Sequence, residues 1–514
     1  MPQERARHST REGRILLGLT LIAFGLRFFA LARQSVWVDE AFSIKYAAVF
    51  GRFGWDQWFE NLHGPLHALL LHLWSRLFGT GEAALRSLSA LFGAATVPLL
   101  YWAVRPRLDR APALLAAGLL AVSPFHLWYS QEIRNYALLI FFVVLSSGAY
   151  LHLPAGGGRG ALYTLANLFG FLSNLAHLFA VMIQAGYEWA TQRRIRRLAL
   201  VSWGITALAL SPWIYRFWVR HLEPSGALDL APIEATERLR GETTAPWLGI
   251  PFTYFVFSVG YSLGPSLREL RQGMGFELFR PDLPLLLAAM IGFGGAVLLG
   301  GRAAWRLRGE GRYWLLLAFL PTLLTFLVAL RNLKVFNPRY AAAALPAYVV
   351  LLALGLLAPR RIVWRWLLAL CILVPTGVSL GRYFTDPRYD KDDARAAAAF
   401  LRSEAKPGEL LFVVGTDEPF ERYHWRGMRR GADGIRKADL GDWGMLTRAQ
   451  QFARFDSLIA AHPRTYVIVF RAEAVDPAGQ WRRWMAEQHP PERTREFTGI
   501  DVWVLPRSDA GPQP

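Results

Sequence analysis

Ile15-Leu16-Leu17-Gly18-Leu19-Thr20-Leu21-Ile22-Ala23-Phe24-Gly25-Leu26 continues, past Arg27, to Ala32, and three residues later comes Val36-Trp37-Val38-Asp39-Glu40-Ala41-Phe42. The first stretch is long enough to cross a bilayer as a helix. Arg5, Arg7, Arg11 and Arg14 precede it in a signal-like charge pattern, yet no small-residue cleavage site is evident, so a retained first span is expected. The second stretch then puts two adjacent carboxylates at the far mouth of a membrane helix. Carboxylates there do chemistry, bind a cation or face water.

The 514-residue chain is 53% hydrophobic with a mean hydropathy of +0.22, more apolar surface than a soluble protein of this length needs. The reading is a polytopic α-helical membrane protein. A net charge of +18 raises the question of nucleic acid, but the basic residues fall in short clusters between apolar runs, as the positive-inside rule requires. No nucleic-acid partner is expected. The single Cys371 excludes an intramolecular disulfide and a multi-thiolate metal site.

Candidate spans lie at roughly 14–33, 82–104, 111–128, 133–153, 161–175, 176–190, 197–218, 283–301, 312–331, 338–358 and 362–383, about eleven transmembrane helices. The Arg clusters at 105–110, 193–197, 302–312 and 360–365 share the N-terminal, cytoplasmic side under two conditions. Residues 161–190 must cross twice, broken near Ser173-Asn174, and Pro65 to Phe78 must lie along the outer surface instead of crossing. The outer face then collects loops 34–81, 123–133, 219–282 and 331–340. The C-terminus also falls outside. Residues 1–383 thus read as the membrane domain. Residues 384–506 read as a small α/β extracytoplasmic domain, with a helix at 394–404, strands at 410–414, 465–470 and 501–505, and helical stretches near 447–461 and 478–488. Residues 507–514 read as a disordered tail.

Asp39 and Glu40 open an amphipathic stretch compatible with a surface helix, where neighbours point about 100° apart and should not share one role. A solvated acidic helix start, favoured by the macrodipole, is the alternative. His63 precedes Gly64-Pro65, with Pro at a first helical turn; it suits a phosphate or hydroxyl contact, or a polar cap. Asp39, Glu40, His63 and His67 also resemble a metal-ligand set, but no spacing fixes it, so no cofactor is assigned and a divalent metal stays an open alternative. Glu132, Arg134 and Tyr136 stand at a span junction, where ionisable groups are usually paired. Asn174 and His177 sit at a helix break, where they could satisfy backbone groups. Lys334, Arg339 and Tyr340 belong to a segment whose cations run against the positive-inside trend. Such cations call for an anion, or anchor headgroups, and a lipid phosphate is the simplest anion.

Taken in order, Asp39-Glu40, His63-Gly64-Pro65-Leu66, Gly81-Glu82-Ala83-Ala84-Leu85-Arg86, Tyr129-Ser130-Gln131-Glu132-Ile133-Arg134-Asn135-Tyr136, the His177 turn and Pro338-Arg339-Tyr340 resemble the GT-C membrane glycosyltransferases. The resemblance is to the group of protein O-mannosyltransferases and the aminoarabinose transferase of lipid A, in a bacterial member, over residues 14 to about 404. It implies inverting transfer of a sugar from a polyprenyl-phosphate donor, here undecaprenyl phosphate, to an acceptor hydroxyl or phosphate at the outer face of the inner membrane. By the same resemblance Asp39 is the base, Glu40 and Glu132 orient acceptor or donor, and Arg339, with Lys334, holds the leaving phosphate. Arg134, Tyr136, His63 and His177 are further site candidates. Partners implied are the lipid-linked donor, membrane lipids and a glycan, lipid or protein acceptor. One departure is Leu178 after His177, where the family often has an aromatic. Two other classes stay open: a transporter or flippase of a lipid-linked sugar, and an inactive scaffold. A transporter would favour mid-membrane charges and inverted repeats; the charges here gather at one face.

Overall fold

The computed structural model describes residues 2–49, 64–153, 158–192, 196–221, 248–272, 275–307, 309–332, 336–425, 435–438, 446–471, 476 and 479–506. The chain divides into two compact units. The larger is helical and holds most of residues up to 389; the smaller holds Arg33–Lys45 and Asp390–Pro514.

Among the described residues, six helices of the larger unit are long and apolar enough to cross a membrane: Glu82–Val104, Arg197–Tyr215, Arg280–Arg306, Gly311–Ala329, Pro338–Leu357 and Ile362–Thr385. The pair Arg110–Ala121 and Pro124–Ser130, bent by 55°, reaches that length only when taken together. The bend follows from local sequence, because Ser123 caps the second helix with its hydroxyl and Pro124 cannot continue the first one's hydrogen bonding. The remaining expected spans are helices too, but those at Tyr136–His152, Arg159–Ser173 and His177–Gln192 have 17, 15 and 16 residues. Among the described residues, length and composition alone thus give at least six candidate spans of the eleven expected.

The expected break near Ser173-Asn174 is present: the Asn174 side chain accepts the Ala176 N–H at 2.9 Å, filling a bond that the interrupted helix leaves open. Leu66–Phe78 is a 13-residue helix, too short to cross. Within the stretch read as a loop from 219 to 282, residues Gly249–Val259 form an apolar helix that buries Thr253, Val256 and Phe257. Eleven residues fall below the length at which an apolar run reads as a span, so the sequence hid it. Helices Gly295–Arg306 and Leu345–Leu357 touch backbone to backbone. A Cβ on Gly300 would lie 1.9 Å from the Leu351 carbonyl oxygen, and one on Gly355 1.8 Å from that of Ala296. Glycine at both positions lets the two helices close up, the usual device where lipid removes the hydrophobic drive for helix association.

The smaller unit is built on five strands, β1 (Leu410–Val414), β2 (Arg436–Lys437), β3 (Thr465–Phe470), β4 (Arg493–Phe497) and β5 (Ile500–Leu505), in the order β2-β1-β3-β5-β4. β1 runs parallel to β2 and β3, whereas β5 is antiparallel to β3 and β4. Alternate residues feed two cores. Leu411, Val413, Tyr466 and Ile468 meet Ala397, Ala398 and Leu401 of the helix Ala394–Glu404. Leu410, Phe412, Val467 and Val469 meet Phe455, Ile459, Trp481 and Met485 of the helices Arg448–Ala460 and Gln480–Gln488. Burial on both faces makes β1 and β3 almost continuously apolar, and β5 is apolar but for Asp501, which is why these three were readable. β4 is mostly exposed and polar, and β2 has two residues, so neither gave a period-2 signal.

Candidate functional site

Asp39 and Glu40 lie in the first turn of the helix Val38–Val49. Glu40 is wholly buried, and its carboxylate accepts the Trp37 backbone N–H at 3.4 Å, closing the turn as half of a capping box does. Asp39 is half-buried, and its carbonyl takes the Ser43 hydroxyl at 3.3 Å. The two neighbours thus have different surroundings, as their 100° separation implies.

The segment leading to Asp39 is fastened to the helices and loops that flank the sheet in the same compact unit. Arg395 donates its backbone N–H to the Ser35 hydroxyl at 3.0 Å and its guanidinium to the Gln34 carbonyl at 2.9 Å. His424 Nε2 donates to the Val36 carbonyl at 3.3 Å. Arg33 pairs with Asp390, Lys45 with Glu418 at 3.1 Å, and Val38 packs on the core under the helix Ala394–Glu404.

In the helical unit, Tyr136 is the meeting point of the other candidates. The Arg134 guanidinium lies 5.8 Å and the Arg339 guanidinium 6.0 Å from its ring, and Arg339 is also 5.4 Å from the ring of Tyr340. Asn337 accepts the Arg339 N–H at 2.9 Å and so caps the 3-10 turn Pro338–Ala344 that presents the arginine. The buried Tyr129 stacks edge-on to Tyr136 at 5.0 Å, within electrostatic reach of both Glu132 and Arg339. Glu132 itself is 1% exposed. Two guanidiniums, a buried carboxylate and phenols therefore share one locality, a set able to bind an anion and orient a hydroxyl.

Next to this cluster lies an apolar cavity of about 720 Å³, lined by Pro251, Phe255, Tyr261, Leu286, Phe293 and Tyr348 among others. Tyr261 connects the two, since its hydroxyl is 2.9 Å from that of Tyr129.

His177 goes elsewhere. It is fully buried, and Nε2 donates to Asn167 Oδ1 at 3.1 Å, the same oxygen that accepts the Ser146 hydroxyl at 2.7 Å. Gln184 donates to Ser146 at 3.0 Å and accepts the Tyr163 hydroxyl at 2.6 Å, so a polar seam ties three helices together. A Cβ on Gly170 would come 2.4 Å from the His177 ring, so glycine there makes room for the imidazole. His63 and Lys334 lie outside the described residues. Among the described residues no group of three or more His, Cys, Asp or Glu side chains converges as metal ligands.

The sequence reading gave no role to Arg27, Arg86, His126 and Gln131. Arg27 is wholly buried and donates to the carbonyls of Ala121 and Leu120 at 2.9 and 3.0 Å, with His126 Nδ1 at 2.7 Å. Arg86 donates to the Leu31 carbonyl at 2.8 Å. The Gln131 amide donates to the carbonyls of Arg27 and Phe29 at 3.0 and 2.8 Å and accepts the Tyr383 hydroxyl at 2.9 Å. Gln131 thus satisfies carbonyls at the end of the first helix, Pro2–Phe28, Arg86 one in the segment just after it, and Arg27 those at the end of the helix Arg110–Ala121, positions where carbonyls run out of helical partners. A cation inside an apolar run was the available signal for Arg27.

Residues 62–215 match the model of the family described as dolichyl-phosphate-mannose-protein mannosyltransferase. The structure superposes on the archaeal oligosaccharyltransferase AglB from Archaeoglobus fulgidus, solved with an inhibitory peptide and a dolichol-phosphate. The TM-score is 0.52 and the identity 12%, over 91% of this chain and 70% of that one. The fold is that of the GT-C glycosyltransferases. A second GT-C structure, ArnT from Cupriavidus metallidurans in the apo state, is 16% identical over 98% of this chain and 100% of its own, with a TM-score of 0.46. A comparison with curated protein sequences finds no match. The resemblance read from the sequence is borne out at the level of the fold, and the chain has several helices apolar enough to span a membrane and a small sheet domain.

Proposed function

We propose that the chain transfers a sugar, with inversion, from an undecaprenyl-phosphate donor to an acceptor hydroxyl or phosphate at the outer face of the bacterial inner membrane. The observation that carries this reading is the chain of contacts Tyr261–Tyr129–Tyr136, which begins at the apolar cavity and ends between Arg134 and Arg339. A polyprenyl phosphate has that same polarity, an apolar tail continuing from an anionic head. AglB, which shares the fold, was solved with a dolichol-phosphate.

In this reading Arg339 faces the donor phosphate. Charge builds on that phosphate as the glycosidic bond breaks, and a fixed guanidinium in a site with little water stabilises it more than water does. Arg134 supplies a second positive charge on the same ring. Glu132, buried beside them, orients a donor or acceptor hydroxyl. Asp39 takes the proton from the acceptor as its oxygen attacks the anomeric carbon from the face opposite the leaving phosphate. One displacement of this kind needs one base, and the sugar inverts. Glu40, committed to the turn it closes, supports Asp39.

The test is a transfer assay with purified protein, a panel of undecaprenyl-phosphate-linked hexoses and pentoses, and EDTA controls. Asp39→Asn should abolish transfer while the protein keeps its thermal unfolding midpoint, because the change removes basicity at nearly constant volume. Full activity in that variant would remove Asp39 from the mechanism. Failure of the unaltered chain with every donor would leave the transport and scaffold readings.

A further inference from the structure

Trp37, two residues before Asp39, is held from the sheet domain by two cations. Arg471 lies 5.7 Å and Lys391 5.6 Å from its ring. Arg471 follows the last residue of β3 and has φ +51°, a left-handed conformation that a long side chain adopts only when its surroundings impose it.

Those surroundings are visible. The Arg471 N–H donates to the Gly499 carbonyl at 2.9 Å, and its guanidinium donates twice to Asp392 Oδ2, at 3.0 and 2.8 Å. The pair is nearly sealed, with side chains 10% and 7% exposed. Gly499 turns the chain between β4 and β5 at φ +71°, where a Cβ would fall 2.2 Å from Asp392 Oδ1. The turn, the carboxylate and the strained arginine are thus fitted to one another, and the guanidinium they fix faces the Trp37 ring. Strain of this kind gathers where geometry matters to function.

The backbone before Trp37 is held just as closely, by Arg395 on Gln34 and Ser35 and by His424 on Val36. The Trp37 N–H goes to Glu40. The start of the helix that carries Asp39 is therefore set by contacts to the sheet domain.

We propose that Trp37, gripped by Arg471 and Lys391, is a positioning residue for Asp39, and that the sheet domain serves to aim this carboxylate. The proposal rests on the reading of Asp39 as the base. It gives the sheet domain a place in the reaction although none of its own side chains need touch the substrate.

The experiment compares Trp37→Leu, Trp37→Phe, Arg471→Met, Arg471→Lys and Lys391→Met in the full chain. The readouts are hydrogen exchange of the 39–43 amides and transfer from whichever undecaprenyl-phosphate sugar the unaltered chain uses. Trp37→Leu and Arg471→Met should each lower kcat about tenfold with the donor KM within about twofold, and speed exchange in the first turn about tenfold. Trp37→Phe and Arg471→Lys, which keep a ring and a cation, should restore most of both. Placed on Asp39→Asn, Trp37→Leu should cost nothing further, because two changes acting through one group are not additive. Should Arg471→Met fail to fold, Lys391→Met removes one of the two cations without disturbing the Arg471–Asp392 pair and should show the same effects at smaller size. Unchanged kcat and exchange in Trp37→Leu and Lys391→Met, beside an inactive Asp39→Asn, would overturn the positioning role and leave the base intact. An active Asp39→Asn would overturn the base instead.

Discussion

Arg395 donates its backbone N–H to the hydroxyl of Ser35 at 3.0 Å, joining residues 360 positions apart. Nothing in either neighbourhood announces the contact. It places the segment that carries Asp39 in one compact unit with a domain encoded at the other end of the chain. Changes in that domain should therefore reach the carboxylate.

Arg339 is the first place to test the proposed chemistry. Arg339→Leu should lower kcat by about 10²–10³, the usual loss when one donor to a developing anion is removed. Arg339→Lys should recover part of this, since it returns the charge but not the planar fork. Equal activity of all three proteins, measured at saturating donor, would exclude Arg339 from leaving-group stabilisation.

The cavity makes a separate prediction. Ala289 is buried in its wall, and Ala289→Phe would fill part of the space. If the space holds the lipid tail, the KM for an undecaprenyl donor should rise about tenfold, roughly the 1–3 kcal/mol typical of overpacking. A donor with a two- or three-isoprene tail should be affected much less. Equal effects on long and short donors would argue for a tail site elsewhere.

His424 gives the smaller unit a pH dependence. Burial pushes its imidazole from 6.5 down to about 4. Between those values the unfolded chain binds a proton that the folded ring rejects. Stability is then full above pH 6.5, falls as pH drops through the window, and levels off near pH 4, a loss of at most about 3 kcal/mol. Urea unfolding followed between pH 7 and 4 should show this slope, and His424→Gln should flatten it.

Gly355 tests the helix packing. Gly355→Val would drive a side chain into the Ala296 carbonyl, at a distance where a Cβ already lies 1.8 Å away. The two helices must part, at a cost of about 3 kcal/mol or more. Thermal unfolding in detergent should show a clear drop, whereas Gly377→Ala, at a position with open space around the added carbon, should not.

The sequence by itself was enough for the helical membrane architecture, because apolar runs and Arg clusters are local signals whose length answers to bilayer thickness. It was enough as well for β1 and β3, whose burial on both faces leaves nearly unbroken apolar runs, for the mostly apolar β5, and for the family resemblance, carried by short motifs in order. It also singled out Tyr136, Arg134 and Arg339 one by one. Only the tertiary structure decided that two guanidiniums share the Tyr136 ring, that His177 belongs to a polar seam with Asn167, and that Gly249–Val259 is a helix. Trp37 and Arg471 show the reason. Each looks ordinary in its own stretch, and what matters is that Asp392 and Gly499 fix Arg471 against Trp37, contacts between residues up to 434 positions apart whose pairing exists only once the chain has folded.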